Sequence, residues 1–240
     1  MTSLPTPRAV LFDVDFTLLE PNEMFFAEGY RSIGERFGLD LDTARWPAAE
    51  SAAYAAVKTR RERTGLTHDD GIYGAIAVAV IRAMGAEDLD DGHADKVVAC
   101  AAAVTAEWVK LDNFALYDDV LPCLERLRDA GLRLALVSNT SRDLGEVLAH
   151  FALETFMQAA VASSETGLMK PSPQIYAAAA AALGVGAGEA VMVGDNPRDD
   201  VLGALDAGLA GAVLLDRKGH WDYPVPTIRS LTELPGVLGI

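Results

Sequence analysis

AVLFDVDFTLL, residues 9–19, decides how the chain is read. An apolar, β-branched run ends abruptly at Asp13 and Asp15, the pattern of a buried parallel strand that delivers functional groups at its carboxyl end. The pattern recurs in LALVSNTS at 134–141, which ends in Ser138 and Asn139, and in VMVGDNPRDD at 191–200, which ends in Asp195, Asp199 and Asp200. A fourth segment, GLMKPSP at 167–173, supplies Lys170. Aspartates from separate strand ends, with one lysine and one hydroxyl, are the set that a magnesium-dependent phosphoryl-transfer site requires.

From residue 113 onward, strand and helix patterns alternate. Helices are expected over 119–130 and 142–150, from Ser172 (N-cap) and Pro173 (N1) to Leu183, and over 198–207. Strands are expected over 132–137, 159–162 and 190–194 and in AGAVLLD, 210–216. This alternation implies an α/β fold, a doubly wound parallel sheet that binds ligands at strand carboxyl ends near a switch point. Between 20 and 112 the strand pattern vanishes. Helical spacing of Phe25, Phe26, Tyr30, Ile33 and Phe37, with Gly closing the segments 23–37, 43–64 and 69–84, predicts an all-helical insertion that also includes 91–109. The expected division is a core of 1–19 and 113–240 and a helical block of 20–112. The Pro-punctuated tail, 217–240, is expected to wrap the surface.

Half of the 240 residues are hydrophobic, ample for a sizeable core. A formal charge of −15 argues against nucleic acid and against anionic membrane surfaces as partners. Cys100 and Cys123 match no zinc or redox spacing and suit a reducing cytosol. The first residues lack the apolar region of a signal peptide, and the Ala-rich runs at 75–84 and 98–106 are too short to span a bilayer. The expectation is a soluble cytoplasmic protein, monomer or homodimer.

DVDFT at 13–17, SNT at 138–140, Lys170 before a proline and GDNPRDD at 194–200 resemble, in order, the four motifs of the haloacid dehalogenase-like hydrolases. One such motif is weak evidence; four in order on strand ends are specific. The frame that carries them covers most of 1–20 and 113–216, and the helical block falls where that family carries a helical cap. The resemblance implies a Rossmann-like core with an inserted cap, Mg2+ as cofactor, and hydrolysis of a small phosphorylated metabolite through an aspartyl-phosphate. By the same resemblance Asp13 is the nucleophile and Asp15 the acid and base. The implied metal ligands are Asp13, Asp15 through its carbonyl, Asp195 and Asp200, with Asp199 a further ligand or a neighbour of one, because the family places its last acid at either spacing. Ser138 and the Asn139 and Thr140 N–H groups, where a helix is about to start, are expected to bind phosphate oxygens. Lys170 is expected to hold nucleophile and phosphoryl group together.

A phosphomutase shares all four motifs. A dehalogenase is disfavoured because that branch lacks the second aspartate, and a non-catalytic interaction protein because the set is intact. Phe16 departs from the small residue common at its position and is expected to narrow the cleft or pack beneath the cap. The basic stretch KTRRERTGLTHDD, 58–70, offers Arg60, Arg61, Arg63 and His68 as contacts for an anionic substrate, against a solvated helix face paired with Glu62 and Asp69. Trp46, Tyr54 and Tyr73 are expected to pack between helices. His93 is expected on an exposed helix face, and Glu189, Asp206 and Asp216 as surface or capping acids.

Overall fold

β1, Ala9–Phe12, is buried along its whole length because strands flank it on both edges and side chains cover both faces. The computed structural model describes residues 6–86 and 94–240; His93 and the first residues of the expected helix 91–109 lie outside the described residues. β2, Leu19–Pro21, and β3, Phe114–Leu116, pair with each other in a short ribbon. The main sheet adds β4 (Arg133–Ser138), β5 (Ala159–Ala162), β6 (Ala190–Gly194), β7 (Gly211–Leu215) and β8 (Thr227–Ile228). Among the described residues its order is β5-β4-β1-β6-β7-β8, parallel throughout.

The chain winds outward from β1 in one direction through β4 and β5, then returns to its other edge for β6, β7 and β8. β1 is therefore at the switch point, where a crevice opens at the carboxyl ends. The register brings those ends level: Phe12 lies opposite Leu136 on one side and Val193 on the other. The residues that follow each strand consequently meet above the same edge.

The helices are α1 (Ala27–Arg36), α2 (Trp46–Thr64), α3 (Gly71–Ala83), α4 (Ala94–Trp108), α5 (Val120–Asp129), α6 (Leu144–His150), α7 (Ser163–Thr166), α8 (Pro173–Ala182), α9 (Gly203–Asp206) and α10 (Leu234–Leu238). The chain divides into two compact units, Met1–Glu20 with Ala115–Ile240 and Pro21–Phe114. The first has a core of Leu11, Val137, Ile175, Tyr176, Met192 and Leu214 with their neighbours, where α8 and α9 cover the sheet. The second has its own core of Tyr30, Ile33, Leu41, Ile81, Met84 and Val104. Trp46 packs on Tyr30 at 5.6 Å and Tyr73 on Trp108 at 6.3 Å between ring centroids. Tyr54 departs from expectation: its residue is 67% exposed.

Three other expectations change. The helix expected over 198–207 begins as a π-helical turn, Pro197–Leu202, before α9. The tail does more than wrap the surface, since β8 adds a strand to the sheet and α10 closes the chain. Asp216 is buried and accepts the N–H groups of Gly219, His220 and Trp221, so it organises a turn from inside. Among the described residues no helix is long and apolar enough to cross a membrane. Cys100 and Cys123 are free and buried, and burial pushes their thiols up to about 11 and about 12, which leaves them unreactive at neutral pH.

Arg217, just beyond β7, ties the tail to the loop after β1. It donates to both oxygens of Asp119 at 2.8 and 2.9 Å and to the Thr17 carbonyl at 2.9 Å, and stacks 3.7 Å from the Tyr117 ring centroid. Asp119 also accepts from Ser230 Oγ and from the Leu231 N–H. Burial pushes the Asp119 carboxyl upward, but these donors outweigh it and hold the group below its ordinary value. A lowered folded pKa stabilises above the unfolded value, and that contribution disappears as pH falls through the folded one. Asp119→Asn is expected to cost about 1–3 kcal/mol at pH 7. In urea denaturation the difference from wild type should persist down to about pH 5 and shrink below about pH 4. A gap that widened on acidification would contradict this account.

Candidate active site

Asp13 is the first residue past β1, and its N–H donates to the Val193 carbonyl at 2.9 Å, which fixes the loop to the neighbouring strand. Its Oδ1 accepts from Lys170 Nζ at 2.5 Å, and its Oδ2 from Thr17 Oγ1 at 3.4 Å. Lys170 Nζ also donates to Asp200 Oδ1 at 2.6 Å. Lys170 and Asp200 are 2% and 1% exposed, so one ammonium bridges two carboxylates with almost no water around it. Asp195 completes the group: carboxylate oxygens of Asp13, Asp195 and Asp200 lie within 4.8 Å of one another.

The GDNPRDD segment folds to make this possible. Gly194 ends β6, and a Cβ placed on it would overlap the Asp200 carboxyl. Asn196 caps the π-helical turn, accepting from the Arg198 and Asp199 N–H groups at 3.0 Å each. The turn brings Asp200 back to accept from the Asn196 N–H at 2.9 Å. Of the two alternatives at the end of the motif, Asp200 joins the cluster. Asp199 accepts from Asn139 Nδ2 at 3.4 Å, and its carbonyl takes the buried Tyr176 hydroxyl.

The electrostatics of this group are unbalanced. Three carboxylates face one ammonium. Burial pushes Asp195 well above the carboxylate range, and the charges of Asp13 and Asp200 push it further. Burial likewise lifts Asp200 to about 7, with Lys170 opposing and Asp13 adding. Burial lifts Asp13 against the pull of Lys170. Lys170 is opposed by its own burial but stays protonated, held by Asp13 and Asp200. Excess buried negative charge on hard oxygen donors fits a divalent cation, and magnesium among them.

The SNT segment behaves differently from expectation. Ser138 ends β4 and is buried. Asn139 clamps the main chain of Lys170: its Oδ1 accepts the Lys170 N–H at 2.6 Å and its Nδ2 donates to the Lys170 carbonyl at 3.0 Å. Thr140 faces inward. Its N–H donates to Ser163 Oγ at 3.0 Å, so this amide is already committed within the protein and does not point at a phosphate. The next helix, α6, starts only at Leu144, and Asp143 caps it by accepting from the Gly145 and Glu146 N–H groups. An acid therefore caps that helix N-terminus.

Asp15 brings in a residue that the sequence reading missed. Its carboxylate pairs with Arg142, which is 8% exposed, through Nη2. The signal was present in SNTSR, where an arginine follows Ser138 by four residues, but arginine on a loop reads as solvated by default. Phe16 is 40% exposed with φ +62°. A left-handed bulky residue costs of order 1–3 kcal/mol, a strain of the kind that collects at functional loops.

In the helical unit, Arg60 makes the pairing with Asp69 that stood beside the substrate reading. Its guanidinium is taken by Asp69, through Nε and through Nη2 at 2.8 Å, a pair that fastens the end of α2 to the start of α3. Arg61 and Arg63 lie in the last turn of α2, where cations complement the helix dipole. His68 lies 2.9 Å from Asp70.

The family model for haloacid dehalogenase-like hydrolases matches residues 7–208. Glyceraldehyde 3-phosphate phosphatase of Methanopyrus kandleri is 32% identical over 84% of this chain and 81% of its own length. Ribulose-1,5-bisphosphate 5-phosphatase of Halopiger xanaduensis is 29% identical over 94% of this chain and 91% of its own. The crystal structure of a phosphatase of the same family from Thermococcus onnurineus superposes with a TM-score of 0.63 at 27% identity, covering 97% of this chain and 98% of that one. With the matched model spanning more than half its length and the strand-end motifs assembled on one sheet edge, the chain belongs to the haloacid dehalogenase-like hydrolases.

Proposed function

We propose that this protein is a magnesium-dependent phosphatase that hydrolyses a small phosphorylated metabolite through an aspartyl-phosphate on Asp13. The observation that carries the reading is the buried Lys170 bridge between Asp13 and Asp200, with Asp195 alongside. A lysine holding an acid ready on a strand end, beside a cation-demanding cluster, suits attack on an anionic phosphate ester. The relatives named above as phosphatases of glyceraldehyde 3-phosphate and of ribulose 1,5-bisphosphate point to the same substrate class.

Asp13, Asp195 and Asp200 would hold the metal, with the Asp15 carbonyl. When bound, the ion neutralises phosphoryl oxygens and orients them for displacement. An Asp13 carboxylate oxygen forms a bond to phosphorus as the ester P–O bond breaks. Asp15, as a carboxylic acid, passes its proton to the departing alkoxide. Asp15, now a carboxylate, takes a proton from the water that attacks phosphorus. The bond between Asp13 and phosphorus breaks, returning the Asp13 carboxylate and inorganic phosphate. Lys170 stays protonated throughout and steadies the nucleophile. Selection among substrates is assigned to the helical block 20–112, since every group in this scheme lies in the other unit.

The test is phosphate release from 4-nitrophenyl phosphate and from a panel of triose, pentose and short-acid phosphates, with magnesium present. Turnover of the aryl ester and a preference within the panel are expected. In oxygen-18 water each released phosphate should carry one heavy oxygen. A phosphoenzyme that returns its group only to another substrate hydroxyl, without release, would favour the phosphomutase reading instead.

A further inference from the structure

Arg142 is buried although it carries a charge, and it does not stand alone. Its guanidinium donates to both carboxylate oxygens of Asp15. Its Nε and its N–H donate to Thr140 Oγ1 at 3.3 and 3.0 Å. Thr140 is pinned in turn: its N–H donates to Ser163 Oγ at 3.0 Å, and that hydroxyl donates back to the Thr140 carbonyl at 3.3 Å. Ser163 opens α7, directly after β5, so the chain of hydrogen bonds ends in rigid secondary structure.

Asp15 is the less constrained partner. It lies past the end of β1 beside the left-handed Phe16, and its side chain is 31% exposed. A carboxylate there, left to itself, would sample several rotamers facing water. A braced guanidinium selects one. The planar guanidinium holds Asp15 through Nη2 while its Nε is held by Thr140 Oγ1, which the single ammonium of a lysine does less well.

We infer that Arg142 is a positioning residue that aims the Asp15 carboxyl at the leaving oxygen, an assignment that rests on the phosphatase reading above. The Thr140 hydroxyl braces that arginine, and the Thr140 amide, expected to bind phosphate, is held by Ser163 Oγ. A misplaced acid harms basic leaving groups most, because activated ones depart with little protonation.

The experiment compares kcat/KM, which reports formation of the phosphoenzyme and not its hydrolysis, for phenyl phosphate and 4-nitrophenyl phosphate, two esters of similar shape and different leaving-group basicity. Arg142→Gln is expected to raise the nitrophenyl-to-phenyl ratio by about tenfold. Arg142→Lys should raise it less. In an Asp15→Asn background, where no acid is left to aim, Arg142→Gln should leave the ratio where Asp15→Asn has already put it. If both rates fell together in Arg142→Gln, or if the two substitutions changed the ratio independently, the inference would be overturned. Should Arg142→Gln not fold, Arg142→Lys alone and combined with Asp15→Asn makes the same comparison. Wild-type protein that turned over neither ester would remove the phosphatase reading and this inference with it, whereas an unchanged ratio on an active wild type would remove the inference only.

Discussion

Asp13→Asn should abolish turnover, by at least about 10⁴-fold, and with it any phosphoenzyme. An amide has no anionic oxygen to form the bond to phosphorus, so the loss belongs to the first chemical step. The fold should survive: the amide is nearly isosteric, its oxygen can still accept from Lys170, and Lys170 keeps Asp200 at 2.6 Å. A melting temperature close to that of wild type would show this. Asp15→Asn should fail in another way. With an activated aryl ester the first step needs little acid, while the second still needs a base, so a labelled aspartyl-phosphate should accumulate and decay slowly. Mass spectrometry of the trapped protein should place the label on Asp13. Near-wild-type turnover in Asp13→Asn would take the nucleophile's role from this residue.

How far the sequence reached depends on what kind of signal each feature has. The central strands were legible because β1, β4 and β6 are continuous apolar runs that stop at polar residues, and burial on both faces leaves no other pattern. Asp13, Lys170, Asp195 and Asp200 converge because they follow parallel strands, or a loop beside them, and parallel strands end on the same edge. The choice between Asp199 and Asp200 was not legible. It turns on a π-helical turn, and one extra residue per turn leaves no mark in apolar periodicity. Thr140 was misread for a similar reason. The expected helix start is displaced to Leu144, and a hydroxyl from Ser163, far along the chain, takes the amide. Arg142 and Arg217 were passed over because their partners, Asp15 and Asp119, are more than 90 residues away in sequence. Charge pairing over such distances is a property of the fold, and no local window contains it.

Removal of divalent metal is expected to stop turnover completely, and added magnesium to restore it. Asp13, Asp195 and Asp200 place oxygens within 4.8 Å of one another, and Lys170 is the cation bridging two of them. An incoming phosphate ester brings further negative charge to the same place, so without a cation its approach is opposed. Because the ion would bind the folded protein and not the unfolded chain, the effect should also appear without any substrate. At a magnesium concentration a hundredfold above Kd the folded state gains about 2.7 kcal/mol, roughly 5–10 °C in melting temperature for a protein of this size. Asp195→Asn should blunt both responses. Burial and its acidic neighbours already disfavour the charged form of Asp195, so the metal-free variant should melt no lower than metal-free wild type, while its gain from magnesium shrinks and its turnover collapses. This pairing separates a metal ligand from a residue that merely supports the fold, whose loss would lower the melting temperature with and without the ion. Calcium, which accepts more ligands at longer distances, should raise the melting temperature while supporting little turnover. Full activity in excess chelator after prior stripping, with no shift in melting on adding magnesium, would mean that the three aspartates hold their charges apart by some other means.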